Sequence, residues 1–221
     1  MERKQKNNEK LTKAKIVQRA IVLSDKDGFE KLSMRRLADS LNVEAMSLYH
    51  YFSSKKELVA EMVDSLVPVV DPPDCVTDWQ EPMRKRAHAV RNVFISHPWM
   101  VQQFVAEINV GPSMLAYVDA SIGYSVHAGF SYKMADYAWN MIDSYIYGFN
   151  LRAQNHPVEP SEYQNAAKQY LHMIPQSQYR YMHGLTMQII EGSHDGIQDF
   201  DFGLNLILDA LEEIRVKDNN R

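Results

Sequence analysis

An all-α fold is what this sequence predicts, on three observations. Alternating Val/Ile/Thr runs closed by Asn-Gly or Asp-Gly hairpins are absent, apolar residues recur at spacings of three and four, and helix-capping residues punctuate those runs. The 221 residues, 45% hydrophobic and 24% charged, suffice for one or two packed domains and are too apolar for disorder. The first helix is predicted over 12–26, where Ile16, Val17, Ala20, Ile21 and Leu23 form a stripe between the N-cap Thr12 and the stop Asp27-Gly28. Ser33 caps a short segment that turns Leu37, Ala38 and Leu41 inward, and after Asn42 a second short segment carries Leu48 and Phe52. Ser54-Lys55-Lys56-Glu57 is a capping box in which serine and glutamate satisfy each other's orphan amides, so a fourth helix starts at 55 with Leu58, Met62 and Leu66 inward. Pro68, Pro72 and Pro73, with Asp71 and Asp74, make 68–77 a joint between a head, 1–67, and a body, 68–221. Body helices are predicted near 78–96, 98–108, 112–128, 131–154, 161–190 with a break at Pro175, and 199–216. Two of them, 131–154 and 199–212, are apolar around most of their circumference, the pattern of a helix buried on every side. Such a helix is either central to the core or part of a subunit interface, and the interface is the favoured reading.

Composition removes several functions. The longest apolar runs, Val67 to Val70 and Leu206-Ile207-Leu208, fall far short of the roughly 18 residues a membrane span needs. Met1 to Lys10 is polar and shows no signal-peptide core, so no membrane partner and a cytoplasmic location are expected. A lone cysteine, Cys75, offers no intramolecular disulfide and no CxxC for zinc. The net charge of −4 conceals an asymmetry: residues 1–60 carry 13 Lys and Arg against 8 acidic residues, and the remainder 11 against 20. A basic head on an acidic body suits contact with phosphate through the head alone, although a merely solvated head fits the charge equally well.

The motif in the head is more specific. Residues 33–52 read as two short helices joined by a tight turn, which is helix-turn-helix spacing. Ala38, Leu41, Val43 and Leu48 hold the pair, leaving Ala45, Met46, Ser47, Tyr49 and His50 on the outer face of the second helix. Small residues permit close approach to base edges, Ala45 and Met46 can touch a thymine methyl, and Tyr49 can reach a phosphate. The plain alternative is an ordinary helical hairpin.

From Lys10 to Leu66 the chain resembles the DNA-binding domain of the tetracycline-repressor (TetR) family, including Leu48-Tyr49-His50-Tyr51-Phe52-Ser53-Ser54-Lys55-Lys56-Glu57-Leu58. The body is similar, more loosely, to that family's regulatory domain: Asp78-Trp79 opens a helix, Ile95-Ser96-His97 closes it, and Phe202-Gly203-Leu204-Asn205-Leu206-Ile207 lies near the end. The resemblance implies an all-helical homodimer that binds double-stranded operator DNA and whose body takes a small-molecule effector that changes the spacing of the heads. It implies base contacts from Arg35, Ala45, Met46 and Ser47, and backbone contacts from Tyr49, Tyr51 and Lys55. Ser33 and His50 complete the candidate DNA set. Met46 stands where tetracycline repressors have proline, so a different operator is expected.

The tetracycline class chelates magnesium through a histidine that Met100 to Ala106 does not contain, and no two of the eight histidines stand at i, i+4. No metal and no cofactor are therefore expected, and the effector should be something other than a metal-chelated tetracycline. The resemblance puts the pocket between the helices near 79–96, 98–108, 112–128 and 131–154. Position matching nominates Arg86, Val90 and Phe104, and helical facing adds Phe94, Met114, Tyr117, Trp139 and Asp143. A flat, partly apolar effector is expected; Arg86 would favour an anionic group and Asp143 a cationic one, and which faces the cavity is open. Gly192-Ser193-His194-Asp195-Gly196 is a contiguous loop and not a catalytic triad, whose members come from distant positions. With no phosphate-cradling glycine loop and no acid/base constellation, an enzyme is not expected. A ligand-responsive repressor is the reading adopted, with a helical interaction protein or a constitutive DNA-binding protein as alternatives.

Overall fold

The computed structural model describes residues 10–71, 73, 78–106, 110–196 and 199–219; Cys75, Pro72, Asp74 and the chain start up to residue 9 lie outside them. The described residues form helices and no strand. Helix α1 (Lys13–Asp27) begins where Thr12 Oγ1 accepts from the Lys15 amide and ends at Gly28, whose positive φ of 94° suits glycine. A 3-10 turn, Phe29–Lys31, leads to α2 (Met34–Leu41), capped by Ser33 through the Arg36 amide. Asn42 then takes the left-handed conformation, φ 55° and ψ 44°, and its amide and that of Val43 return to the carbonyls of Ala38 and Asp39. This turn sets the angle between α2 and α3 (Ala45–Tyr49).

Helix α4 (Lys55–Leu66) starts at Ser54, which accepts from the Glu57 amide at 3.2 Å. The capping box forms only in part, because Glu57 Oε2 takes the amide and hydroxyl of Ser53, each at 2.7 Å, instead of the Ser54 amide. Ile16, Ala20, Leu37, Leu48, Phe52, Leu58 and Met62 make one buried core in the head. A second core, from Val63 to Leu211, fills the body.

The body is built from α5 (Gln80–Ser96), α6 (Met100–Ala106), α7 (Pro112–His127), α8 (Tyr132–Gln154), α9 (Tyr163–Tyr170), α10 (Arg180–Glu191) and α11 (Phe200–Asn219). Asp78 Oδ1 caps α5, Ser131 caps α8, and Asp199 Oδ1 caps α11 through the amides of Asp201 and Phe202. The segment expected as one interrupted helix over 161–190 is divided further. A 3-10 turn stands at Pro160–Glu162 and another at Leu171–Met173, and α10 begins only at Arg180, five residues past Pro175. Pro175 has no N–H to donate to a preceding turn, while its own carbonyl accepts from the amides of Gln178 and Tyr179.

The single chain covers only one face of each of the helices expected over 131–154 and 199–212, so neither is central to its core. Helix α8 buries Ala135, Ala138, Ile142, Asp143, Ile146 and Asn150, and α11 buries Phe200, Leu204, Leu208 and Leu211, each set at three and four spacing. Their other faces are open in the single chain, with Tyr137 and Met141 on α8 and Phe202 and Leu206 on α11. Asn140 is exposed and donates to the carbonyl and carboxylate of Asp136. At the end of α11, Glu212 accepts from Trp79 Nε1 and pairs with Arg215, which donates to the Ala128 carbonyl; these contacts clamp α11 to α5 and to the α7–α8 turn. The Arg215 hydrogen bond, with help from Trp79, holds the Glu212 carboxyl down to about 2.

Candidate functional site

The outer face of the head is the first half of the site. Ser33, Arg35, Met46, Tyr49 and His50 are exposed, and Ala45 and Ser47 are half-buried. Met46 is 71% exposed, a large apolar side chain projecting from a helix only five residues long. Its neighbour Leu48 is fully buried, so the helix is anchored from behind while its outer face stays free. Two nominated residues are already engaged. Tyr51 donates its hydroxyl proton to the Leu11 carbonyl at 2.8 Å, tying the end of the motif to the start of α1. Lys55 holds its ammonium 5.1 Å above the Phe29 ring, at the first residue of α4. Arg36, adjacent to Arg35, pairs with Asp27 at 2.8 Å.

The second half lies inside the body. Arg86 is fully buried, and its Nη1 donates to Tyr117 Oη and, at 2.6 Å, to Asp143 Oδ1. Tyr147 donates to the other oxygen of Asp143 at 2.9 Å. Arg86 comes from α5, Tyr117 from α7, and Asp143 and Tyr147 from α8, so the network crosses three helices. Burial opposes the Arg86 charge, and Tyr117 and Asp143 outweigh that effect. Burial pushes both tyrosines well above their ordinary range, so they stay neutral, and the Asp143 charge raises them further. Phe94 and Phe104 complete a ring cluster, edge to face with each other at 5.6 Å, and Phe104 also meets Tyr117 and Tyr147.

Of the nominated pocket residues, the structure thus gathers Arg86, Phe94, Phe104, Tyr117 and Asp143, with Val90 and Met114 buried in the same core. Trp139 is half-buried, lies at three and four spacing from Ala135, Ile142 and Asp143 on the same side of α8, and has its Nε1 buried with no partner. Tyr147 was missed, although its position four residues after Asp143 puts it on the same helical face. A cavity of about 250 Å³ also lies where no residue was nominated, near the end of α8 and the start of α9, lined by Arg91, Phe149, Arg152, His156 and Tyr163 among others.

Among the described residues, two sets of polar contacts join the halves. Asp64, buried at the end of α4, accepts from the amides of Met114 and Ser113 at 2.9 and 3.2 Å, and so caps α7 from a distant helix. A Cβ on Gly111 would meet Asp64 Oδ1 at 2.2 Å, so only glycine fits there. Asp25 on α1 accepts from Trp99 Nε1 at 2.7 Å and lies 2.9 Å from His97 Nδ1, while the Trp99 ring stacks on Phe29 of the head. α7 is thus tied to α4, and the turn between α5 and α6 to α1.

A helix-turn-helix head held by two such contacts to a helical body with a buried polar centre is the build of a transcription regulator. The sequence matches "Bacterial regulatory proteins, tetR family" over residues 16–62 and "Tetracyclin repressor-like, C-terminal domain" over residues 72–215. The chain belongs to the TetR family. It is 29% identical over 213 residues to the HTH-type transcriptional repressor DrrR1 of Streptomyces coeruleorubidus, covering 91% of this chain and 77% of that one. It is 24% identical to the class C tetracycline repressor protein of Escherichia coli, covering 96% and 95%. The TetR family protein ActR of Streptomyces coelicolor, solved in complex with actinorhodin, shares the fold at a TM-score of 0.78 and 22% identity, over 94% of this chain and 99% of that one.

Proposed function

We propose that this protein is a cytoplasmic, effector-released repressor that binds a near-palindromic operator as a homodimer. The observation that carries the reading is the pairing of a free outer face on α3 with a buried polar cluster between α5, α7 and α8, the two being joined through Asp64 and Asp25. DNA binding uses Arg35, Ala45, Met46, Ser47, Tyr49 and His50 in the major groove and on its edges, with Ser33 and Lys55 toward the backbone. The Tyr51 side chain supports the motif from behind. The effector enters among Arg86, Val90, Phe94, Phe104, Met114, Tyr117 and Asp143. Release requires that it bind the non-operator conformation more tightly, since equal affinity shifts nothing. Similarity to a repressor and to a ligand-bound family member supports both halves.

Arg35→Ala and Tyr49→Ala test the DNA half. Each should weaken specific operator binding by about 1–3 kcal/mol in a gel shift, while thermal unfolding stays nearly unchanged because both side chains are exposed. Lys55→Ala should instead weaken all sequences alike and flatten the salt dependence. Unaltered affinity in all three variants would remove the DNA-binding assignment.

A further inference from the structure

Two donors in the centre of the body have no acceptor. Arg86 spends Nη1 on Tyr117 and Asp143, and its Nε and Nη2 are buried without any hydrogen-bond partner. These are adjacent on the guanidinium and form its side-on edge, which holds two parallel N–H groups toward a pair of acceptor oxygens. An unmet buried donor is costly, and here two are aimed the same way. Asp143 is in a different condition: Oδ1 receives Arg86 and Oδ2 receives Tyr147, so each oxygen already has a donor and the charge is met by Arg86.

The charge balance narrows the choice. The Arg86 cation and the Asp143 anion, 2.6 Å apart, cancel, and both tyrosines are neutral hydroxyls. A carboxylate on the open edge would leave one uncompensated negative charge in a dry site, whereas neutral oxygens satisfy the same two N–H groups and add none. The walls are flat rings: Phe94, Phe104, Tyr117 and Tyr147 surround the network. Nε and Nη2 have no solvent access, so an arriving molecule must part this cluster to reach them.

We propose that the effector is an uncharged, flat aromatic molecule carrying neighbouring acceptor oxygens, and that it docks those oxygens on the Nε/Nη2 edge of Arg86. This rests on the effector-released repressor reading. It answers the alternative that the sequence left open, because Arg86 has two buried N–H groups without an acceptor, whereas both Asp143 oxygens already have a donor and its charge is met by Arg86.

The test compares four probes of similar size, methyl 2-naphthoate, 2-naphthoate, 2-ethylnaphthalene and 2-naphthylmethylammonium, by equilibrium dialysis against the full-length protein. In the wild type the ester should bind roughly 10-fold or more tightly than the hydrocarbon, and the ammonium should be rejected. Arg86→Lys keeps the charge opposite Asp143 but removes the side-on edge, so the preference for the ester over the hydrocarbon should vanish. The double variant Arg86→Met/Asp143→Leu, which leaves no buried ion unpaired, should show the same loss. An ester preference that survives in both variants, an ammonium that binds as well as the ester, 2-naphthoate binding more tightly than its methyl ester, or no binding by any probe would overturn the proposal. Operator binding by ligand-free wild-type protein tests the repressor reading separately, so either can fail alone.

Discussion

Phe202→Asp combined with Leu206→Asp is expected to leave each chain folded and helical while converting a dimer into monomers, as read by sedimentation at micromolar concentration. The two side chains are 66% and 56% exposed in the single chain, one turn apart on the open face of α11, and Tyr137 and Met141 stand similarly on α8. Pairing these faces with a second copy makes a four-helix interface, the economical way to cover them. Operator affinity should fall by about 10²–10⁴-fold, because the second half-site contact is then no longer intramolecular. Leu208→Asp supplies the contrast. Leu204 and Leu208 are fully buried inside each chain, so a charge there should cost on the order of 4 kcal/mol or more and unfold the protein. A double variant that remains dimeric would place the interface elsewhere.

Arg86→Met is expected to destabilise the protein by about 3–5 kcal/mol, since it strands the Asp143 carboxylate in a dry core. For a chain of this size that is a fall in melting temperature of roughly 6–20 °C, measurable by circular dichroism. Adding Asp143→Leu should recover most of the loss, because the cost comes from the unpaired ion and not from the missing contact. Equal destabilisation of the single and double variants would mean that the pair is held by packing alone and that Arg86 has no special place in the body.

Much of the head was legible from local chemistry. Thr12, Ser33 and Ser54 cap where the residue type says they should, and the short turn around Asn42 follows from its tolerance of the left-handed region. The gathering of Arg86, Tyr117 and Asp143 was half legible, since each is a polar residue on an apolar stripe. Their distances depend on contacts across 31 and 57 residues of sequence. The cap that Asp64 supplies to α7 left only a negative trace: Val110-Gly111-Pro112 precedes a helix without a Ser, Thr, Asp or Asn to start it. Which apolar positions of α8 and α11 pack within the chain was not legible, because a one-dimensional pattern cannot separate such a face from one that waits for a second copy.

Selection of binding sites by the purified protein from a random-sequence DNA pool, repeated with Arg35→Ala, tests the repressor reading most directly. Enrichment by the wild type of one near-palindrome, with half-sites about one helical turn apart and lost in the variant, is the result predicted. Binding that enriches no sequence and disappears uniformly as salt is raised would contradict it, leaving only the general attraction of a basic head for phosphate.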